Sequence, residues 1–146
     1  MDVVSAASAI SGLCFTSGQL LVGFFEYIQD VQDVPKHVEA LTTELSALNT
    51  ALLGLKSLLI SREGIQQDVL LTLTRDSTTT LESCNETLQQ VENMVKKSKI
   101  QIKQSANGQV IRCTKWLWNK KEVNLLKDRV EAYKSTISLM LQISSG

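Results

Sequence analysis

The stretch PKHVEALTTELSALNTALLGLKSLL, Pro35 to Leu59, decides the fold. Val38, Leu41, Leu45, Leu48, Leu52, Leu55 and Leu59 follow one another at steps of 3, 4, 3, 4, 3 and 4. Such steps keep one face only in a chain that turns about 100° per residue, so these side chains form a single stripe along an α-helix. Asp33 and Pro35 supply the start signal, because a proline in the first turn forfeits no intrahelical hydrogen bond. Ser61-Arg62-Glu63-Gly64 supplies the stop.

The same rhythm recurs twice. Leu81, Cys84, Leu88, Val91, Val95, Ser98 and Ile102 make a second stripe, with Thr79 and Glu82 spaced as a capping box. Val123, Leu126, Val130, Tyr133, Ile137 and Met140 make a third, and Asn119 with Glu122 starts that helix near Lys120. Ile65 to Leu73 reads as a short helix or turn, and Ser105-Ala106-Asn107-Gly108 interrupts the pattern. No alternation of period two persists over a strand length. Together with the N-terminal segment these helices predict an all-α fold. It is an antiparallel helical bundle of four long helices plus one or two short ones, in a single domain over residues 1–146.

Composition agrees. With 43% hydrophobic but only 5% aromatic residues, the core must be built from Leu, Val, Ile and Ala. Cys14, Cys84 and Cys113 are odd in number and widely spaced, which predicts reduced thiols rather than a disulfide framework. Cys14 and Cys84 read as small core residues; Cys113, beside Arg112 and Lys115, is a weak candidate for an activated thiol. The lone histidine, His37, sits in a first helical turn beside Pro35 and Lys36, where solvation or capping explains it. There is no CxxC pair, no HExxH, no GxSxG and no glycine-rich phosphate loop. The expectation is therefore no enzyme, no metal and no cofactor.

VVSAASAISGLCFTSGQLLVGFF, Val3 to Phe25, carries no charged side chain. At about 1.5 Å per residue it reaches about 35 Å, against a hydrocarbon core of about 30 Å. A signal peptide needs a basic start, whereas the first basic residue here is Lys36. A permanent span is poorly made. Val3, Val4, Ile10, Leu13, Phe15, Leu20, Leu21, Val22, Phe24 and Phe25 each favour insertion by about 0.3–0.6 kcal/mol. Ser5, Ser8, Ser11, Thr16, Ser17, Gln19 and three glycines oppose them, and no Lys or Arg cluster flanks the segment. The expectation is a helix apolar all round, the most buried member of the bundle, and close to the threshold for membrane insertion.

Net charge is zero, but the charges are blocked along the chain. Residues 1–92 hold twelve acids and four bases. Residues 93–121 hold Lys96, Lys97, Lys99, Lys103, Arg112, Lys115, Lys120 and Lys121 and no acid, with Trp116 and Trp118 among them in RCTKWLWNKKE. Tryptophan interleaved with bases suits a lipid interface, where each surface cation contributes about 1 kcal/mol toward anionic lipid. The same residues would also serve within the bundle, the indoles plugging one end and the bases facing the acidic helices. Nucleic acid is not expected as a partner, since no recognised fold motif accompanies the bases.

Nearly the whole chain resembles a known family, and two parts carry the resemblance most specifically. One is FFEYIQDVQDVPKHVEALTTELSALNTALLGLKSLL, Phe24 to Leu59, with its Tyr27–Asp30–Asp33–Pro35 turn and Glu44-Leu45-Ser46-Ala47-Leu48 helix. The other is KWLWNKKEVNLLKDRVEAYKSTISLMLQ, Lys115 to Gln142. With the uncharged first helix they look like the HeLo-like domains at the N-terminus of fungal STAND receptors, the NOD-like proteins with a nucleotide-binding module downstream. The resemblance implies a bundle related to the HeLo domain of fungal incompatibility proteins and to that of the necroptosis pseudokinase. It implies a cell-death effector, cytoplasmic at rest, that self-associates on a signal from an attached receptor and then permeabilises the plasma membrane. Val3–Phe25 would then be the insertion helix, and the bases from Lys96 to Lys121 with both tryptophans would meet anionic lipid. The alternative is a soluble interaction domain of such a receptor without membrane activity. Either way residues 1–146 are expected to be the N-terminal domain of a larger receptor.

Overall fold

The computed structural model describes residues 3–30, 34–61, 72, 78–104 and 119–145. They form four long helices, α1 (Val3–Asp30), α2 (Lys36–Ser61), α3 (Thr78–Gln104) and α4 (Lys120–Ser145). No strand occurs among the described residues, and the architecture is an all-α bundle. The short element expected over Ile65–Leu73 lies, Thr72 apart, outside the described residues.

The three stripes become the core. Val38, Leu41, Leu45, Leu48, Leu52 and Leu55 are all wholly buried along α2. Leu81, Cys84, Leu88, Val91 and Val95 line the inner face of α3, and Val123, Leu126, Val130, Ile137 and Met140 that of α4. Helix starts follow from local chemistry. The Pro35 carbonyl accepts hydrogen bonds from the Val38 and Glu39 amides at 3.0 and 3.1 Å. Asn119 Oδ1 accepts from the Lys121 and Glu122 amides at 2.9 and 3.3 Å, which satisfies two donors that a helix start leaves open. On α3 the expected cap shifts. The helix is already formed at Thr78, so Thr79 lies inside the first turn.

α1 runs to Asp30, five residues past Phe25, because the first charged residue does not end a helix. α1 packs on α2 and α3, and α4 packs on α2 and α3, so the four helices ring one core in the order α1–α2–α4–α3. Chain direction alternates from each helix to the next. The connection from α1 to α2, residues 31–35, is short enough to force a reversal, and Thr87 against Tyr133 and Lys97 near Glu122 set α3 and α4 antiparallel. Glu44 meets Lys134 and Gly54 abuts Leu141, so α2 and α4 run side by side in the same direction. Passing from α2 to α3 therefore crosses a diagonal of the bundle.

The expectation that α1 is apolar all round and hidden needs correction. Ser8–Glu26 is long and apolar enough to cross a membrane, yet only 39% of it is buried. A bundle helix with two neighbours covers only its inward arc, and the rest of its circumference faces outward whatever its composition.

Candidate functional site

α1 carries two stripes one residue out of phase. The inner one, Ile10, Leu13, Ser17, Leu20 and Phe24, is buried in the core. The outer one advances through Ser11, Phe15, Gly18, Val22 and Phe25 by steps of four and three. Phe15 is 70% exposed, Phe25 56% and Val22 53%. Covering what these three leave open would contribute about 4 kcal/mol, scaled from about 1.5–3 kcal/mol per fully buried side chain. Of the ten residues expected to insert, the structure thus buries Ile10, Leu13, Leu20 and Phe24, half-buries Leu21, and turns Phe15, Val22 and Phe25 outward. Val3 and Val4 are helical, and their side chains lie outside the described residues.

A polar contact decides which stripe faces in. The Asn49 amide on α2 donates to Ser17 Oγ at 2.8 Å and to the Cys14 carbonyl at 3.3 Å. Ser17 Oγ in turn donates to that carbonyl at 3.1 Å. A serine with no exposed surface is thereby satisfied, which removes the penalty of burying its hydroxyl. Nearby, burial raises the Cys14 thiol pKa, opposed by the charge of Lys56. Cys84 is pushed up to about 12 by burial alone. Both thiols stay protonated near neutrality and pack as small apolar groups; Cys113 lies outside the described residues. Among the described residues no three His, Cys, Asp or Glu side chains gather as metal ligands.

The basic face is placed in part. Lys97, Lys120 and Lys121 are exposed, and the antiparallel α3–α4 pairing brings the end of one helix beside the start of the other. Lys96 is also exposed and pairs with Glu92 one turn back at 2.9 Å. Lys99 and Lys103 belong to α3 with side chains outside the described residues, as are Arg112, Lys115, Trp116 and Trp118 altogether.

Residues 1–144 match the family model of the pigment biosynthesis cluster protein PigL N-terminal domain. The chain belongs to this family. It is a fungal N-terminal domain family. No curated protein and no solved structure matches the chain significantly.

Sequence reasoning missed two features of this PigL-type domain. One is the pair of ties from α4, Tyr133 hydroxyl to Thr87 Oγ1 at 3.0 Å and Lys134 Nζ to Glu44 Oε2 at 2.9 Å. The other is Arg129, which lies outside the basic block yet shares a groove with Lys97. No local pattern names partners dozens of residues away, so neither had a signal beyond the placing of Tyr133 on its stripe.

Proposed function

We propose that this domain is a membrane-engaging effector of regulated cell death. In this reading it binds lipid through α1 and, on self-association, permeabilises the bilayer. The outward stripe of Phe15, Val22 and Phe25, on a helix with no charge before Glu26, carries the reading. An apolar stripe of this kind lies in the interface plane of a bilayer, its rings at the headgroup–acyl boundary. Lys97, Lys120 and Lys121 would add about 1 kcal/mol each toward anionic lipid. First contact then needs no unfolding. Clustering, driven by an attached receptor or nucleotide-binding module, would release the inner stripe as well, since one helix offers apolar faces to both environments. The domain would be cytoplasmic at rest and at the plasma membrane when active. The likeness of Phe24–Leu59 and Lys115–Gln142 to HeLo-like domains supports this. No catalytic residue and no cofactor enters the proposal.

The test fuses the domain to an inducible oligomeriser and follows vesicle flotation, leakage and cell viability. Recruitment and leakage should appear on clustering and fall at least tenfold with Phe15→Ser, Val22→Ser and Phe25→Ser combined. Absence of both, or full activity in that variant, would sink the proposal.

A second reading, a soluble interaction module of a receptor, rests on a different surface. Leu53 of α2 and Leu139 and Ile143 of α4 are about half exposed, on helices that pack side by side. Substitutions there that abolish partner recruitment, with no vesicle binding at any lipid composition, would favour it.

A further inference from the structure

α3 and α4 flank an open groove of about 400 Å³ that shares one cation, Lys97, with the face assigned to lipid. Lys97 on one wall and Arg129 on the other line it, with Asn93 and Gln90 beside them and Met94 and Leu125 supplying apolar surface. Among the described residues neither cation makes an ion pair. The Thr87–Tyr133 hydrogen bond sets the register of the antiparallel pair, so Lys97 is level with Val123. Arg129 is six residues further along, about 9 Å at about 1.5 Å per residue. A point midway, level with Met94, is within reach of both long side chains and of the Asn93 amide.

We infer that this groove binds a phosphate ester, its phosphate held between Lys97 and Arg129. A planar guanidinium takes two phosphate oxygens at once, and the lysine acts as a point charge on a third. Asn93 and Gln90 supply neutral donors. The apolar wall at Leu125 and Met94 offers a surface to the ester's carbon chain. The carboxylate of Glu122 also lines the groove, at the Lys97 end. It lies about one turn from the midway point, where it disfavours a second phosphate and can accept a hydrogen bond from a hydroxyl of the ester. The volume falls in the range of small-molecule sites. α1 contributes nothing to the groove; Lys97 is shared with the proposed membrane contact, whereas Arg129 belongs to the groove alone.

The same chemistry could come from a soluble ester or a lipid headgroup, and two arms separate them. In one, glycerol 3-phosphate is titrated into the full chain by calorimetry. In the other, vesicles of phosphatidylcholine with phosphatidic acid are floated with it. Binding in either arm should weaken about tenfold with Lys97→Gln and with Arg129→Gln, the effect of losing one charge-assisted contact. Glu122→Gln should strengthen it, which a loosened fold would not do. Lys36→Gln, an exposed cation at the start of α2 that does not line the groove and is not assigned to lipid, should change it less than twofold. Binding in the first arm alone assigns a soluble ligand, and in the second alone a lipid. No binding in both arms, or equal losses with Lys36→Gln and Arg129→Gln, would overturn the site.

Discussion

Lys134 Nζ lies 2.9 Å from Glu44 Oε2 and ties α4 to α2, while the adjacent Tyr133 hydroxyl, 3.0 Å from Thr87 Oγ1, ties α4 to α3. Successive helical residues point about 100° apart, so two neighbours in sequence can reach two different helices. These contacts fix the rotation and height of α4 against both partners, which apolar packing alone does less sharply.

The ion pair predicts an alkaline limb in stability. The hydrogen bond that Lys134 donates to Glu44 raises its pKa above the ordinary 10.5; partial desolvation opposes it, and the charges of Glu44 and Glu131 add to it. The folded chain therefore holds this proton to higher pH than the unfolded chain does. Its stabilisation is complete below the ordinary value and is lost as pH rises through the raised one. Thermal unfolding across the alkaline range should fall more steeply for the native chain than for Lys134→Met, the two curves converging at the top. Parallel curves would show that the pair contributes nothing.

Tyr133→Phe should cost about 1 kcal/mol in urea denaturation, since Thr87 is buried and loses its partner. Thr87→Val should cost a similar amount. The double variant should cost clearly less than the two together, because both remove one shared contact. Strict additivity would mean that the hydroxyls do not interact in solution.

The two stripes of α1 should separate stability from surface. Leu20→Ala, at a buried position, should destabilise by about 2–5 kcal/mol. Phe15→Ser should shift stability by no more than about 0.5 kcal/mol, as substitutions on open surface do. Chemical denaturation of the two variants side by side measures this. A large loss from Phe15→Ser would show that the outer stripe is covered within the chain.

Cys84 should resist alkylation. In a chain with Cys14→Ser and Cys113→Ser, iodoacetamide at neutral pH should modify it only as fast as the bundle opens, since it is wholly buried with its pKa near 12. A denaturant-insensitive rate equal to that of a free thiol would contradict the placement.

Much of the fold was legible because spacing is a local property. The stripes Val38–Leu55, Leu81–Val95 and Val123–Met140 stand among polar neighbours, so a 3-4 rhythm picks out the inner face and burial follows it. The Asn119 cap was legible for the same reason: its partners lie two and three residues away. Less of the candidate site could be read. The block of bases from Lys96 to Lys121 is visible in the chain, but its groove partner Arg129 is brought to Lys97 by the α3–α4 register.

α1 marks the boundary between the two kinds of information. From Val3 to Phe25 it has no charge to orient it, and its two stripes, Ile10–Phe24 and Ser11–Phe25, keep the same rhythm about 100° apart. Nothing local prefers one over the other. Spacing and capping residues alone were enough for four helices, the starts of α2 and α4 and the inner faces of three. Tertiary structure decided which face of α1 is hidden, because Asn49 on α2 satisfies the buried Ser17 hydroxyl only when the Ile10–Phe24 stripe points inward. That choice leaves Phe15, Val22 and Phe25 outside.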